Sequence, residues 1–147
     1  MTTDNLTDDL KRDEGFEAIA YPDPKSGGEP WTIGYGHTGR EVHRGLVWTR
    51  EFAESVLAAD VAAVKRGLDT ALRRWRTLDD VRQDVLANLA FNLGVSGLMQ
   101  FHRMLTACWG AEWDVAAAEI ENSEAAKELP LRYDRLAEQM RTGVHQP

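Results

Sequence analysis

Residues 14–38 read EGFEAIAYPDPKSGGEPWTIGYGHT, and this stretch decides the fold. From Phe16 to Tyr21 large residues alternate with small or polar ones, and alternation resumes from Trp31 to His37 around Gly34 and Gly36. A period of two marks strands, and glycines inside a strand mark close backbone approaches or bends. The segment between, PDPKSGGEP, is turn chemistry throughout: proline presets φ, and glycine admits left-handed backbone. The pattern predicts a small antiparallel sheet whose connection carries the run Lys25 to Pro30.

Upstream, Leu6 and Leu10 share one face of a short helix, with Thr3 or Thr7 as its N-cap and Gly15 as a stop signal just past Asp13 and Glu14. An acid thus sits at a helix end. Downstream, from Thr49 as N-cap, Leu57, Val61, Val64, Leu68 and Leu72 step by four, three, four and four, tracing one face of a long helix. Thr77 and Asp80 open another helix, with Val81, Val85 and Leu89 spaced by four and Gly94 as its C-cap. Further helices are expected through Met99 to Trp109, through Trp113 to Ile120, and from Pro130 to Met140, closed by Gly143. The expected fold class is α+β: a small N-terminal lobe with one helix and a short antiparallel sheet, a long connecting helix, and a larger helical C-terminal lobe. The expected organisation is a single domain over residues 1–147, with lobes roughly at 1–48 and 73–147 joined by helix 49–72.

The chain has 147 residues, 43% of them hydrophobic, enough for a core without metals or staples. Its one cysteine, Cys108, excludes an intramolecular disulfide and fits a reducing compartment, with the thiol read as core. Against 24 acids stand 17 bases, a net charge of -7. That balance argues against a nucleic-acid binder. The acids are unevenly spread: residues 1–60 hold 12 acids and 6 bases, the remainder 12 and 11. The N-terminus is acidic and lacks an apolar run, so neither a signal peptide nor stable membrane association is expected. The uncharged run Val85 to His102 is interrupted by Asn88, Asn92, Ser96 and Gln100 and reads as buried helix, turn and helix.

The chemistry concentrates in residues 14–38. Breaking a glycosidic bond needs an acid to protonate the leaving oxygen and a second carboxylate to act as nucleophile or to activate water. Glu14 and Asp23 are the candidates, and Thr32 on the following strand offers a hydroxyl beside Asp23. Spacing alone favours the plainer reading, a solvated helix end and a turn aspartate. Gly34 and Gly36 read as hairpin geometry that lets a sugar approach the backbone, since no phosphate-loop pattern follows.

Together and in this order, DEGF (13–16), AYPD (20–23) and WTIGYGHT (31–38) resemble the phage-type lysozymes of glycoside hydrolase family 24. The likeness runs roughly from residue 6 to 143 through LAADVAAV (57–64), AFNLG (90–94) and PLRYDRLAEQMRTG (130–143). It implies a lysozyme-like fold and an endolysin, a muramidase that hydrolyses the β-1,4 bond between N-acetylmuramic acid and N-acetylglucosamine in peptidoglycan. Glu14 would be the general acid, and Asp23 with Thr32 would place water for inversion, with no cofactor and no metal. Gly36 and Arg132 are expected at the substrate, Arg132 matching an arginine that approaches the catalytic Glu. Asn88, Phe91 and Asn92 either line the cleft wall or are capped internally. His37 is expected as the structural partner of Asp60 rather than as a base. The implied setting is a monomer held in the host cytoplasm until a holin-like pore admits it to the wall.

Two features depart from the family pattern. KSGGEP lengthens the turn between Asp23 and Thr32 and is read as a bulge away from the site. The family's Ser-x-Trp motif ahead of the last helix is absent, since Ser123 is followed by Glu124 and Ala125. The cluster Arg73, Arg74 and Arg76 after the long helix reads as a solvated helix end or as a contact with an anionic wall. Two other functions fit parts of the pattern. One is a catalytically silent lysozyme-like module that binds glycan or a partner. The other is a lytic transglycosylase, against which Asp23 beside Thr32 speaks.

Overall fold

The computed structural model describes residues 4–147. Its contacts gather into two units, residues 1–63 and 64–147, with the boundary inside one long helix.

In the first unit, helix α1 spans Asn5–Glu14 and buries Leu6 and Leu10. Each such burial is worth about 1.5–3 kcal/mol. Asp4 caps the helix, accepting from the Leu6 N–H at 3.2 Å. Thr7 lies one turn inside and donates its hydroxyl to the same carboxylate, and Thr3 lies outside the described residues. Of the capping residues at hand, the aspartate adds a negative charge at the positive end of the helix dipole. At the other end Gly15, at φ 69°, donates its N–H to Lys11 O and turns the chain out of the helix directly after Glu14.

Strands β1 (Glu17–Tyr21), β2 (Thr32–Gly34) and β3 (His37–Thr38) form an antiparallel sheet in that order. The alternating run from Trp31 to His37 is therefore two strands. Gly34 and Gly36, at φ 67° and 74°, reverse the chain around Tyr35. Glu17 faces Gly34 and Tyr21 faces Thr32, with a register shift between; Thr32 faces Thr38 and Ile33 faces His37. The outer edge of β1 is closed by residues 46–48: the Ala20 N–H donates to Leu46 O, and the Trp48 N–H to Ala18 O. Inside lie Ala20, Ile33 and Val42, with Trp31, Leu46 and Trp48 packed on them. A Cβ at Gly34 would lie 3.1 Å from the Trp48 ring and 3.2 Å from Ala53 Cβ, so only glycine lets the sheet come this close to helix α2 (Arg50–Ala71). That helix starts at Thr49, whose hydroxyl accepts from the Phe52 N–H at 3.1 Å.

In the second unit, a 3-10 turn (Arg73–Thr77) sinks Trp75 fully into the core. Its indole donates to Asp69 at 2.8 Å, and Arg76 binds the same carboxylate while lying 4.2 Å above the Trp75 ring. Helix α3 (Asp80–Leu98) is capped by Asp79. Thr77 instead donates back to Arg74 O, completing the 3-10 turn. Gly94, at φ 78°, breaks α3 where the sequence places a cap, but the chain resumes helical turns to Leu98. Helices α4 (His102–Trp109), α5 (Trp113–Glu121), α6 (Glu124–Glu128) and α7 (Pro130–Thr142) follow. Helix α4 starts later than Met99 because Gln100 and Phe101 form a turn bonded to Gly97 and Leu98. Helix α6 has no helical period in the sequence; Ser123 caps it, accepting from the Ala126 N–H at 3.2 Å. The core gathers Leu86, Leu89, Leu98, Met104, Ile120, Tyr133 and Met140. Cys108 lies among them, 3.7 Å from the Met140 sulfur, and burial pushes its thiol up to about 12, which makes it inert. No described helix is long and apolar enough to cross a membrane.

Arg82 closes the far end of α7. A helix leaves its last carbonyls without intrahelical donors. Arg82 donates to Met140 O at 2.7 Å and Arg141 O at 3.1 Å, bonds Asp79 at 3.1 Å, and lies 3.8 Å above the Trp113 ring. Gly143, at φ 69°, leaves room for it, since a Cβ there would fall 2.9 Å from Nη1. Charged hydrogen bonds are worth about 1.5–3 kcal/mol, so Arg82→Met should lower stability by about 2 kcal/mol while keeping the aliphatic packing. A urea midpoint unchanged from the parent would show that these carbonyls are equally well served by water.

Candidate active site

Glu14 is the last residue of α1, and the Gly15 turn leaves its side chain at the mouth of the β2–β3 turn. A Cβ on Gly36 would lie 3.0 Å from the Glu14 Cδ and 3.3 Å from its Cγ. The carboxyl group therefore rests against the bare backbone of Gly36. That backbone belongs to the connection leading away from Thr32, so one short segment contacts the acid and carries the hydroxyl.

Thr32 stands opposite Tyr21 across the β1–β2 ladder. Burial, then the charges of Glu14 and Glu17, raise the Tyr21 phenol above its usual value, with the Thr32 side chain opposing them. Tyr21 thus senses the Glu14 charge while facing Thr32 across the ladder, which brings Glu14, Tyr21 and Thr32 into one neighbourhood. Tyr21 carries no chemical signal in the sequence beyond closing the alternating run at the end of β1.

Asp23 begins the long turn. Its N–H donates to Gly28 O at 3.0 Å, its carbonyl accepts from the Gly27 N–H at 2.8 Å, and its Oδ2 accepts from the Ser26 N–H at 3.3 Å. Ser26 in turn donates to Glu29 O and accepts from the Gly28 N–H. The inserted residues close on themselves and leave Tyr21 and Thr32 paired at their base, so the insertion is a self-contained bulge. The same bonds hold the Asp23 carboxylate through one oxygen.

His37, the residue after Gly36, is gripped from both sides. Its Nδ1 lies 2.6 Å from Asp60 Oδ2 on α2, and its Nε2 lies 2.7 Å from Glu41 Oε1. Carboxylates accept only, so both ring nitrogens must donate, which only the imidazolium can do. Burial works against the cation, but the bonds and charges of Asp60 and Glu41 outweigh it and raise His37 above its usual value. The Trp48 ring covers it at 5.4 Å.

The remaining candidates lie in the second unit. Asn88 is buried, and its Oδ1 accepts from Arg132 Nε at 3.0 Å; Asn92 Oδ1 accepts from the Tyr133 hydroxyl at 2.7 Å. These pairs brace α3 on α7. As placed, Asn88 presents no accessible amide, while Phe91 and Asn92 are half-buried. A surface depression of about 560 Å³ lined by Gln100, Phe101, His102, Arg103, Glu119 and Asn122 also lies in this unit and contains none of the candidate residues. No cluster of three or more potential metal ligands occurs among the described residues.

An N-terminal helix ending in a glutamate, a three-stranded antiparallel sheet, a long helix and a helical C-terminal region define a lysozyme-like fold. The family model described as phage lysozyme matches residues 11–138, and the chain belongs to that family. Among its relatives, the pre-baseplate central spike protein Gp5 of Enterobacteria phage T4 is 31% identical over 137 residues, covering 76% of this chain and 23% of that protein. The probable T4-type lysozyme 1 of Dictyostelium discoideum is 24% identical, with 95% of each chain covered. An endolysin of Bacillus phage B103 is 37% identical over 95 residues, covering 60% of this chain and 33% of its own length.

Proposed function

We propose that the chain is a muramidase that hydrolyses the β-1,4 bond between N-acetylmuramic acid and N-acetylglucosamine in peptidoglycan, acting as an endolysin. The observation that carries this reading is the Glu14 carboxyl group resting on Gly36, in the turn that follows the strand bearing Thr32. A sugar laid along that glycine backbone would bring its glycosidic oxygen to Glu14. Glu14 donates a proton to the leaving oxygen, while Asp23 and Thr32 hold a water on the opposite face of the ring. As the carbon–oxygen bond breaks, the water attacks the anomeric carbon and gives a proton to Asp23, inverting the configuration. No cofactor enters this scheme. Gly36, Phe91 and Asn92 are assigned to glycan contact, and the Asn88–Arg132 pair to support. Relatives named endolysin and T4-type lysozyme support the substrate class. We place the enzyme, as a monomer, in the host cytoplasm until a holin-like pore admits it to the wall.

Purified peptidoglycan digested with the protein should yield new reducing ends, and NMR of freshly cleaved product should show the α anomer first. A retained β anomer would overturn single displacement. Fragments of anhydro mass would show a transglycosylase, and glycan binding without any cleavage would show a silent module.

A further inference from the structure

We infer that the Glu41–His37–Asp60 clamp positions Glu14, with Glu41 keeping His37 protonated so that β3 and Gly36 stay pinned beneath the acid. This rests on the reading of Glu14 as general acid. The geometry runs in short steps. Asp60 belongs to α2, His37 to β3, and Glu41 to the loop beyond β3, so the imidazolium ties three segments together. β3 pairs with β2 at Thr32 and Ile33, and the residue before His37 is Gly36, against which Glu14 rests. A shift of His37 away from Asp60 therefore moves the surface under the Glu14 carboxyl group.

The charged groups acting on the ring are Asp60 from α2 and Glu41 from its own loop, and Trp48 covers it with an uncharged face. Once the proton is lost, one ring nitrogen turns a lone pair toward a carboxylate, and one of the two short bonds becomes repulsive. His37 is raised in the folded state, so its contribution is fully present below the unfolded value near 6.5 and is lost as pH rises through the higher folded value. Glu41 is solvent-exposed, which makes it the partner that can be removed without disturbing the core.

Glu41→Ala and Glu41→Gln in the full chain test this with two readouts: the His37 titration followed by NMR, and kcat and KM on soluble peptidoglycan fragments across pH. Removing an exposed ionic partner should lower the His37 midpoint by roughly half a unit, leaving about one third of the parent's imidazolium at alkaline pH. The ratio of variant to parent kcat should then stay near one at pH 5.5 and fall toward about one third on the alkaline side, with KM unchanged and the glutamine variant intermediate. A His37 midpoint that does not move would overturn the role of Glu41. A midpoint that moves while the kcat ratio stays flat would reduce the clamp to a structural brace. If instead Glu14→Gln retains hydrolysis, the general-acid reading fails on its own, and the NMR midpoint still reports whether the clamp forms.

Discussion

On the proposed reading of Glu14 as general acid, Glu14→Gln should lower hydrolysis of peptidoglycan by about 10²- to 10⁴-fold, the range over which a positioned general acid contributes. The substitution keeps the volume of the side chain and its contact with Gly36 but removes the transferable proton. Because the glycan still finds the same surface, the loss should fall on kcat rather than KM. Helix α1 should persist: Glu14 ends it after the apolar anchors Leu6 and Leu10, and the Gly15 cap to Lys11 uses backbone alone. A melting temperature within about 3 °C of the parent, measured by circular dichroism, would separate lost chemistry from lost structure. A variant retaining more than about a tenth of parental kcat would remove Glu14 from the acid role, since that residue loss is below the general-acid range.

How far the sequence alone leads depends on whether a signal is local. The course of α2 is legible because Thr49 caps it and its apolar positions recur at helical spacing, and α7 because Pro130 and Gly143 bracket it. Caps are harder where two competent residues lie close together. Asp4 displaces Thr7, and Asp79 displaces Thr77, because the choice depends on which side chain meets the first free N–H groups. Helix α6, five residues long, is too short to show a period and leaves only Ser123 as a trace. The sheet is legible as a region, but its division into β2 and β3 depends on two glycines, Gly34 and Gly36, taking positive φ on either side of Tyr35.

The same distinction holds at the site. Glu14, Asp23 and Thr32 stand out because their motifs are contiguous. Asn88 does not, because whether its amide meets solvent or Arg132 is settled by a partner 44 positions away. Glu41 left no signal either: four residues from His37 in a loop, the spacing carries no helical meaning. The acidic excess of residues 1–60 also takes on structure here. Asp60 and Glu41 are not diffuse charge but the two anchors of one histidine, and Asp9 is buried beside Arg12 at 3.1 Å.

Gly36→Ala should cost more in activity than in stability, and the imbalance identifies what the glycine is for. At φ 74° an alanine sits in left-handed backbone, a strain of about 1–2 kcal/mol. Its Cβ would also fall 3.0 Å from the Glu14 Cδ, too close to persist. The obstructing atoms are the far end of a flexible side chain, so the cheapest relief is for Glu14 to swing aside while the backbone stays. Unfolding free energy should therefore drop by about 1–2 kcal/mol, the strain alone. A displacement of about 1 Å at a reacting group costs on the order of 10²-fold, so kcat should fall by about 10- to 100-fold. Gly45→Ala is the matched control: its φ is 91°, yet nothing lies within 4 Å of where its Cβ would point. It should lose comparable stability and keep its kcat. Equal losses of kcat in the two variants would mean that backbone strain in this unit impairs the site wherever it is introduced; a loss confined to Gly36→Ala ties catalysis to the bare backbone on which Glu14 rests.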